Sequence, residues 1–190
     1  AWVEPGVVQD QLNHALAPKG FLFGPDTSTS NRATIAGMTG NNSCGSRSIL
    51  YGKTIDHVLE VQVSLSDGTR TSFGPLDDSG LAAKMRAPGL EGHIYREMMR
   101  IGHESKEEVE ARYPKILRRV SGYNLDELQK PHLPNFARML VGSEGTLAVS
   151  RLLKVRIVRQ PKVKALLVAQ FDDMIQAVEA DNLILGHKPS

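Results

Sequence analysis

The sequence lacks several features that would assign it to a functional class at once. It contains one cysteine, Cys44, which excludes an internal disulfide and a cysteine-based metal site within the chain. The formal net charge is only +2, so charge gives no argument for a nucleic-acid or membrane partner. No run of about 18 apolar residues predicts a transmembrane helix, and the first residues do not resemble a signal peptide. These absences favour a cytoplasmic location.

Aromatic residues are also scarce, at 5% of a 190-residue chain that is 41% hydrophobic. A globular domain with a mainly aliphatic core is therefore expected. The six histidines show no metal-ligand spacing such as HxxxH, and no spacing of residues predicts a catalytic triad. A run of basic residues at Lys115, Arg118 and Arg119 is typical of a solvated helix face.

Hydrophobic patterning predicts an α+β fold. An amphipathic helix is expected over residues 8–16, and further helices over about 79–113. A hairpin turn is expected at Ser66-Asp67-Gly68. The predicted strands, which would form a small antiparallel or mixed sheet with flanking helices, lie near 58–65, 69–73, 139–141, 146–149 and 154–158.

Pro161 is the predicted boundary between a first unit, residues 1–160, and a second, incomplete unit, residues 161–190. In the second unit, residues 165–171 are predicted to form a buried strand. A helix then follows, with Asp172 or Asp173 as its N-cap. This strand and helix are interpreted as the beginning of a further domain.

The most informative segment is residues 24–52, in which glycine, serine, threonine and asparagine replace large apolar residues. Small residues let the backbone approach a ligand, and free N–H groups with Ser, Thr and Asn side chains suit a phosphate. Neither GxxxxGK[ST] nor GxGxxG is present, so an ATPase or a Rossmann domain has little support. A long glycine-rich surface loop without a ligand is the alternative.

Four segments in order resemble a known family: PDTSTSNRATIAGMTGNNSCG, YGKTIDHVLEVQVSLSDG, SGYNLDEL and GSEGTLAV. The order is similar to the FAD-binding domain of the FAD-linked oxidases. This group includes vanillyl-alcohol oxidase, p-cresol methylhydroxylase, the FAD-linked component of glycolate oxidase, and D-lactate dehydrogenase. The resemblance implies the second subdomain of that FAD-binding domain, followed by the start of a cap domain. The middle insertion looks most like large bacterial members fused to an iron–sulfur domain.

The resemblance implies FAD as the cofactor and assigns residues to it. A set that would line the flavin and the pyrophosphate comprises Pro25, Asp26, Thr27, Ser28 and Ser30. A set that would wrap the pyrophosphate and ribityl chain, closed by a Tyr-Gly step, comprises Gly37, Asn41, Asn42, Ser43, Cys44, Gly45, Tyr51 and Gly52. A turn near the adenine end would contribute Gly142, Glu144, Gly145 and Thr146. Tyr123 and Asn124 match a segment close to the isoalloxazine or the substrate. No catalytic residue is predicted, because the resemblance places the substrate-side residues in the cap.

For the whole protein, the resemblance implies an oxidoreductase that transfers hydride from a 2-hydroxy acid to flavin. D-Lactate, glycolate and D-2-hydroxyglutarate are the expected substrate types, and a quinone, a cytochrome or an iron–sulfur domain the expected electron acceptor. Peripheral contact with the inner membrane through the rest of the protein is compatible with this function. Two alternatives stay open. One is another flavoenzyme on the same fold, such as an alditol oxidase or an alkylglycerone-phosphate synthase. The other is a homo-oligomeric fragment that associates through exposed apolar surface and binds no flavin.

Overall fold

The structure, a computed structural model, describes residues 1–130 and 134–187. The α-helices are α1 Gln9–Leu16, α2 Ile35–Gly40, α3 Ser48–Tyr51, α4 Asp78–Arg86, α5 Gly89–Glu104, α6 Lys106–Arg112, α7 Ala137–Leu140 and α8 Met174–Gly186. The strands are β1 Trp2–Val3, β2 Phe21–Leu22, β3 Val58–Ser64, β4 Arg70–Phe73, β5 Val149–Val155 and β6 Val158–Arg159. Short 3-10 helices cover Ala17–Lys19, Thr54–Asp56 and Leu125–Gln129.

The strands pair into two antiparallel sheets, which confirms the predicted α+β class. The larger sheet has the order β1-β5-β3-β4, and β2 pairs with β6 in a separate two-stranded sheet. The predicted hairpin joins β3 to β4: the N–H of Leu65 donates to the carbonyl of Thr69 at 2.8 Å. Gly68 in this turn has φ +84°, a conformation that favours glycine.

Three strands predicted after residue 135 are wrong or displaced. Residues 139 and 140 lie in helix α7, where the side chain of Asn135 accepts a hydrogen bond from the N–H of Ala137 at 3.0 Å. A short apolar run does not distinguish a buried helical turn from a strand, and here the Asn135 side chain forms a local turn that leads into the helix. Residues 146 and 147 form a bend and residue 148 has no regular structure, so strand β5 begins only at Val149. The predicted strand over 154–158 is divided between the end of β5 and the start of β6.

The helices predicted over residues 79–113 are confirmed as α4, α5 and α6. On α6, Arg112 pairs with Glu108 one turn away at 2.6 Å, as expected of a solvated helix. The basic run that follows is not on a helix, contrary to the prediction. Helix α6 ends at Arg112, and Pro114 disfavours a helical conformation of the residue before it.

The core lies between the larger sheet and the helices and is mainly aliphatic, as predicted. Its fully buried members include Ile35, Val61, Val63, Leu153 and Val155. One aromatic cluster is the exception: the Tyr95 ring stacks on Phe136, with centroids 4.8 Å apart, and approaches Phe73 at 5.7 Å. Burial, together with the charge of Glu91, raises the pKa of the Tyr95 phenol.

The region after Arg159 is exposed along most of its length. Helix α8 begins as predicted, with Asp173 accepting a hydrogen bond from the N–H of Gln176 at 2.9 Å. The strand predicted over 165–171 is wrong: these residues have no regular structure, and Leu166 is 90% exposed. A strand needs a neighbour to bind its N–H and C=O groups, and no described strand pairs with this segment. None of the helices within residues 1–130 and 134–187 is long and apolar enough to cross a membrane.

Candidate functional site

Helix α1 holds the segment 25–27 from one side. Gln9 is 2% exposed; its amide donates to the carbonyl of Pro25 and accepts a hydrogen bond from the Thr27 hydroxyl at 3.0 Å. One turn further along, the Asn13 side chain accepts a hydrogen bond from the N–H of Phe23 at 2.8 Å. Because buried polar groups need such partners, these two helix side chains fix the path of the segment.

The loop 43–47 holds the same segment from the other side. The Asp26 carboxylate accepts hydrogen bonds from the Ser46 hydroxyl at 3.0 Å and from the N–H of Arg47 at 3.2 Å. A Cβ atom on Gly45 would lie 2.1 Å from the Asp26 carbonyl oxygen, so only glycine permits this approach. The structure therefore brings two of the three predicted sets of residues together at Asp26 and Gly45.

The N-terminal end of the loop 43–47 is held by buried hydrogen bonds to residues 54 and 55. Both the N–H and the hydroxyl of Thr54 donate to the carbonyl of Ser43, at 3.0 and 2.7 Å. Asn42 is fully buried in a left-handed conformation, φ +48°, and its Oδ1 accepts from the N–H of Ile55 at 3.1 Å. The Asn42 amide nitrogen is also buried and has no hydrogen-bond partner among the described residues.

His57 closes the loop at the Tyr-Gly step. Its Nε2 lies 2.7 Å from the carbonyl of Tyr51, and its Nδ1 lies 3.3 Å from the carbonyl of Arg156 beyond strand β5. The ring also packs edge-on against Phe23, with centroids 5.7 Å apart. His57 thus links the loop to the sheet, which is a structural role.

The turn 142–146 docks on the end of helix α2. The N–H of Gly142 donates to the carbonyl of Thr39 at 2.9 Å, and the N–H of Glu144 donates to the carbonyl of Gly40 at 3.0 Å. Both bonds go to carbonyls of the last two residues of the helix, and the Thr39 carbonyl also accepts from the N–H of Asn42. The third predicted set of residues is therefore joined to the loop through α2.

A buried acidic side chain, Glu127, stabilises the helix that leads into this turn. Glu127 is 6% exposed and accepts hydrogen bonds from Lys130 and, at 2.7 Å, from Arg138 on helix α7. Burial opposes ionisation of Glu127, but the hydrogen bonds and charges of Lys130 and Arg138 outweigh it and lower its pKa. The ionised carboxylate thereby fixes α7, whose last residue, Leu140, precedes the turn.

Residues 123 and 124 contact the turn 142–146. They lie at the end of the segment without helix or strand that follows helix α6. The Tyr123 hydroxyl lies 2.9 Å from the Thr146 hydroxyl, and the Asn124 side chain donates to the carbonyl of Val141 at 2.6 Å. Asn124 is buried, whereas Tyr123 is exposed. Tyr123, matched by resemblance to the flavin or substrate side, thus lies at the surface next to the predicted turn.

Two cavities border the predicted residues. One, of about 310 Å³, is lined by Asp26, Thr27, Ser30, Arg47 and Lys164, among others. The other, of about 290 Å³, lies between the end of α2 and the turn and is lined by Thr39, Gly40, Ser143 and Gly145, among others. Of the residues predicted to bind the cofactor, only Asp26, Thr27, Ser30 and Gly145 line either cavity.

The loop 43–47 fits an anionic group. The backbone N–H groups of Cys44 and Ser46 donate to no acceptor within the described part of the chain. The N–H of Arg47 is turned to Asp26, but Arg47 itself lines the 310 Å³ cavity. Free backbone N–H groups are the donors that bind phosphates in many proteins, and no lysine of a P-loop is needed for them to do so.

Sequence reasoning missed Gln9, Asn13, Arg47 and Arg118 as residues that shape the site. Gln9 interrupts the helical pattern of α1 as a polar residue on the buried face, which could have indicated a partner. Arg118 donates to the carbonyl of Gly45 at 2.7 Å, although 73 residues separate the two in sequence. No local pattern predicts that contact.

The described residues contain no group of three or more histidine, cysteine or acidic side chains placed to hold a metal ion. His132, one of the six histidines considered in the sequence, lies outside the described residues.

Comparison with known proteins identifies the fold of this region. Residues 1–74 match the family described as FAD binding domain. Residues 1–74 are thus similar to an FAD binding domain. This match confirms the predicted resemblance and FAD as the cofactor of the family, and it covers the segment 25–27, the loop 43–47 and His57.

The whole chain is also similar to parts of longer curated proteins. D-2-hydroxyglutarate dehydrogenase of Pseudomonas putida is 38% identical over 188 residues, which is 98% of this chain and 19% of that protein. Glycolate oxidase subunit GlcD of Bacillus subtilis is 27% identical over 188 residues, 99% of this chain and 29% of that protein. The chain thus spans less than a third of the length of either relative.

A solved structure of alkyldihydroxyacetonephosphate synthase has the same fold. It covers 99% of this chain and 24% of that protein, with a TM-score of 0.56 and 16% sequence identity. At this identity the likeness concerns the fold alone.

Proposed function

We propose that this chain is the cofactor-holding part of a flavin-dependent oxidoreductase that oxidises a 2-hydroxy acid by hydride transfer to FAD. The observation that carries the proposal is the convergence of segment 25–27 with the loop 43–47, next to free backbone donors. The similarity to D-2-hydroxyglutarate dehydrogenase and glycolate oxidase subunit GlcD supports a 2-hydroxy acid as the substrate class.

The residues proposed to hold FAD are the three predicted sets. The free amides of Cys44 and Ser46 would bind the diphosphate, and the 310 Å³ cavity beside Asp26 and Thr27 would take part of the cofactor. The docked turn 142–146 would bound the site next to the end of α2. When bound, FAD supplies a two-electron acceptor. The chain's own share is to bind and orient it with groups that are already fixed by hydrogen bonds.

The remaining parts of the reaction are proposed to lie outside this chain. Pro161 is proposed as the boundary of a following substrate domain, which would take the hydroxyl proton of the substrate. A quinone, a cytochrome or an iron–sulfur domain is proposed as the electron acceptor. The exposed apolar side chains of region 163–185, among them Val163, Leu166 and Met174, also support a proposal that the isolated chain self-associates. Sedimentation of the chain at several concentrations tests that association.

A spectroscopic titration tests the cofactor proposal. Addition of FAD to the chain should give a saturable complex with a perturbed flavin absorbance band near about 450 nm, since the surroundings tune a bound flavin. Gly45→Ala should abolish saturable binding, whereas Gly186→Ala, in open space on α8, should not. A spectrum that equals free FAD at every ratio would contradict the proposal for this chain.

The substrate proposal needs the full-length protein. With an artificial electron acceptor, D-2-hydroxyglutarate, glycolate and D-lactate should be oxidised in preference to alcohols that lack the carboxylate. Equal turnover of a sugar alcohol would favour an alditol oxidase instead, and no turnover of any 2-hydroxy acid would refute the substrate class.

A further inference from the structure

A single peptide group connects the proposed cofactor site to a distant arginine. The N–H of Ser46 is one of the two free donors that we propose bind the diphosphate, and the carbonyl of Gly45 belongs to the same peptide group. This peptide is trans, so its carbonyl and its N–H point in opposite directions. Any contact that holds the Gly45 carbonyl therefore also sets the direction of the free Ser46 N–H.

Two hydrogen bonds hold this carbonyl. It accepts from the N–H of Ser48 at 3.1 Å and from the guanidinium of Arg118 at 2.7 Å. Glycine restricts its own backbone less than other residues do, so the peptide after Gly45 depends on such contacts for its orientation. The Ser48 contact is local, whereas Arg118 lies 73 residues away in sequence. The direction of the Ser46 N–H is thus coupled to the tertiary fold.

The hydrogen bond from Arg118 carries a positive charge. Bonds from a charged donor are about twice as strong as those between neutral groups. No carboxylate pairs with the Arg118 side chain within residues 1–130 and 134–187. A cation at the carbonyl oxygen polarises the whole peptide group, and linked hydrogen bonds strengthen one another by about 10–30% per bond. The Ser46 N–H is therefore a stronger donor than it would be without Arg118.

The backbone next to Arg118 is itself held in place. The side chain of Arg119 is 13% exposed and pairs with Asp126. The Lys53 ammonium donates to the carbonyl of Arg119 at 3.1 Å. Because these contacts fix the neighbouring residue, the Arg118 guanidinium reaches the loop 43–47 from a fixed position.

We propose that Arg118 is a positioning residue of the cofactor site, which orients the Gly45–Ser46 peptide and strengthens the N–H that binds the FAD diphosphate. The inference rests on the proposed function, since the diphosphate is the proposed ligand of the Ser46 N–H. Arg118 acts from the opposite end of the peptide group, without a contact of its own to the phosphate that this N–H binds. A cation distant in sequence thereby strengthens an anion site that is built from neutral backbone groups.

The first measurement uses the chain without FAD. In a proton–nitrogen NMR spectrum, the amide proton of Ser46 should move upfield in Arg118→Ala, because the N–H loses its polarising partner. Arg118→Lys should restore most of the shift, since a lysine also donates a charged hydrogen bond to a single carbonyl. Arg70→Ala is the matched control: it removes the same charge from an exposed position on strand β4 and should leave the Ser46 signal unchanged.

The second measurement is a titration of the same variants with FAD, followed by flavin fluorescence. Arg118→Ala should weaken FAD binding about three- to tenfold, the range expected for one lost hydrogen bond. Arg118→Lys should recover most of the affinity, and Arg70→Ala should bind like wild type.

Three results would overturn the role of Arg118. They are a Ser46 signal at its wild-type position in Arg118→Ala, an unchanged affinity of that variant for FAD, and an equal loss of affinity in Arg70→Ala. Failure of the proposed function gives a different result. If wild type shows no saturable FAD binding while the Ser46 signal still moves in Arg118→Ala, the cofactor proposal fails for this chain and the orientation of the peptide by Arg118 stands.

Discussion

Side-chain burial differs between two regions of the molecule: the loop region, residues 24–57, and the C-terminal region, residues 161–187. The loop region is rich in small polar residues, yet Asn42, Thr54 and His57 are buried and hydrogen-bonded within it. The C-terminal region is rich in aliphatic residues, yet Leu166 and Met174 are 90% and 81% exposed. The difference shows that the available hydrogen-bond and packing partners, rather than the hydropathy of a segment, decide which segment is buried.

The largest difference in the free energy of unfolding is expected between alanine substitutions of two isoleucines, one in each region. Ile35 at the start of α2 is completely buried, whereas Ile175 on α8 is 68% exposed. Ile35→Ala should lower the free energy of unfolding by about 2–5 kcal/mol, because it leaves a cavity in the core. Ile175→Ala should change it by less than about 0.5 kcal/mol. Urea denaturation measures both, and equal effects would break the comparison.

A smaller contrast is expected between two glycines. Gly45→Ala places a Cβ atom against the Asp26 carbonyl, whereas a Cβ atom on Gly186 meets nothing within 4 Å. The first change should cost about 2–3 kcal/mol, as overpacked sites do. The second should keep or slightly raise stability, since alanine favours a helix. Thermal melting followed by circular dichroism compares them; a harmless Gly45→Ala would disprove the close approach of the two segments.

The smallest contrast concerns two asparagines. Asn42→Ala removes the acceptor of the Ile55 N–H and should cost about 1–2 kcal/mol, because a buried donor is left unpaired. Asn182 is exposed on α8, and its replacement by alanine should change stability by less than about 0.5 kcal/mol. The same denaturation assay applies. A stabilising Asn42→Ala would mean that the unpaired amide nitrogen of Asn42 costs more than its hydrogen bond contributes.

The sequence predicted the fold class, the hairpin and the helices, because each rests on local periodicity or turn chemistry. The predictions of secondary structure were wrong where hydrogen bonds to other residues, rather than the hydropathy pattern, determine the conformation. Residues 165–171 have the pattern of a buried strand, but no described strand pairs with them. Residues 139–140 are apolar, but the side chain of Asn135 begins a helical turn there.

The same distinction applies to the candidate site: its segments could be predicted from the sequence, but the residues that hold them in place could not. Motif order located segment 25–27, the loop 43–47 and the turn 142–146, because their small residues and spacing are visible in the sequence. The residues that fix them are polar side chains on other elements, such as Gln9 and Arg118. Their contacts with Pro25 and Gly45 span 16 and 73 residues, beyond any local pattern.

Hydrogen exchange of the chain with and without FAD tests the central claim most directly. Amides in residues 25–52 and 142–146 should exchange more slowly when FAD is bound, and those in residues 166–187, beyond the cavity-lining Lys164, should be unchanged, because binding stabilises the groups it contacts. Protection confined to residues 166–187, or no change anywhere at saturating FAD, would contradict the assignment of the loop region as the cofactor site.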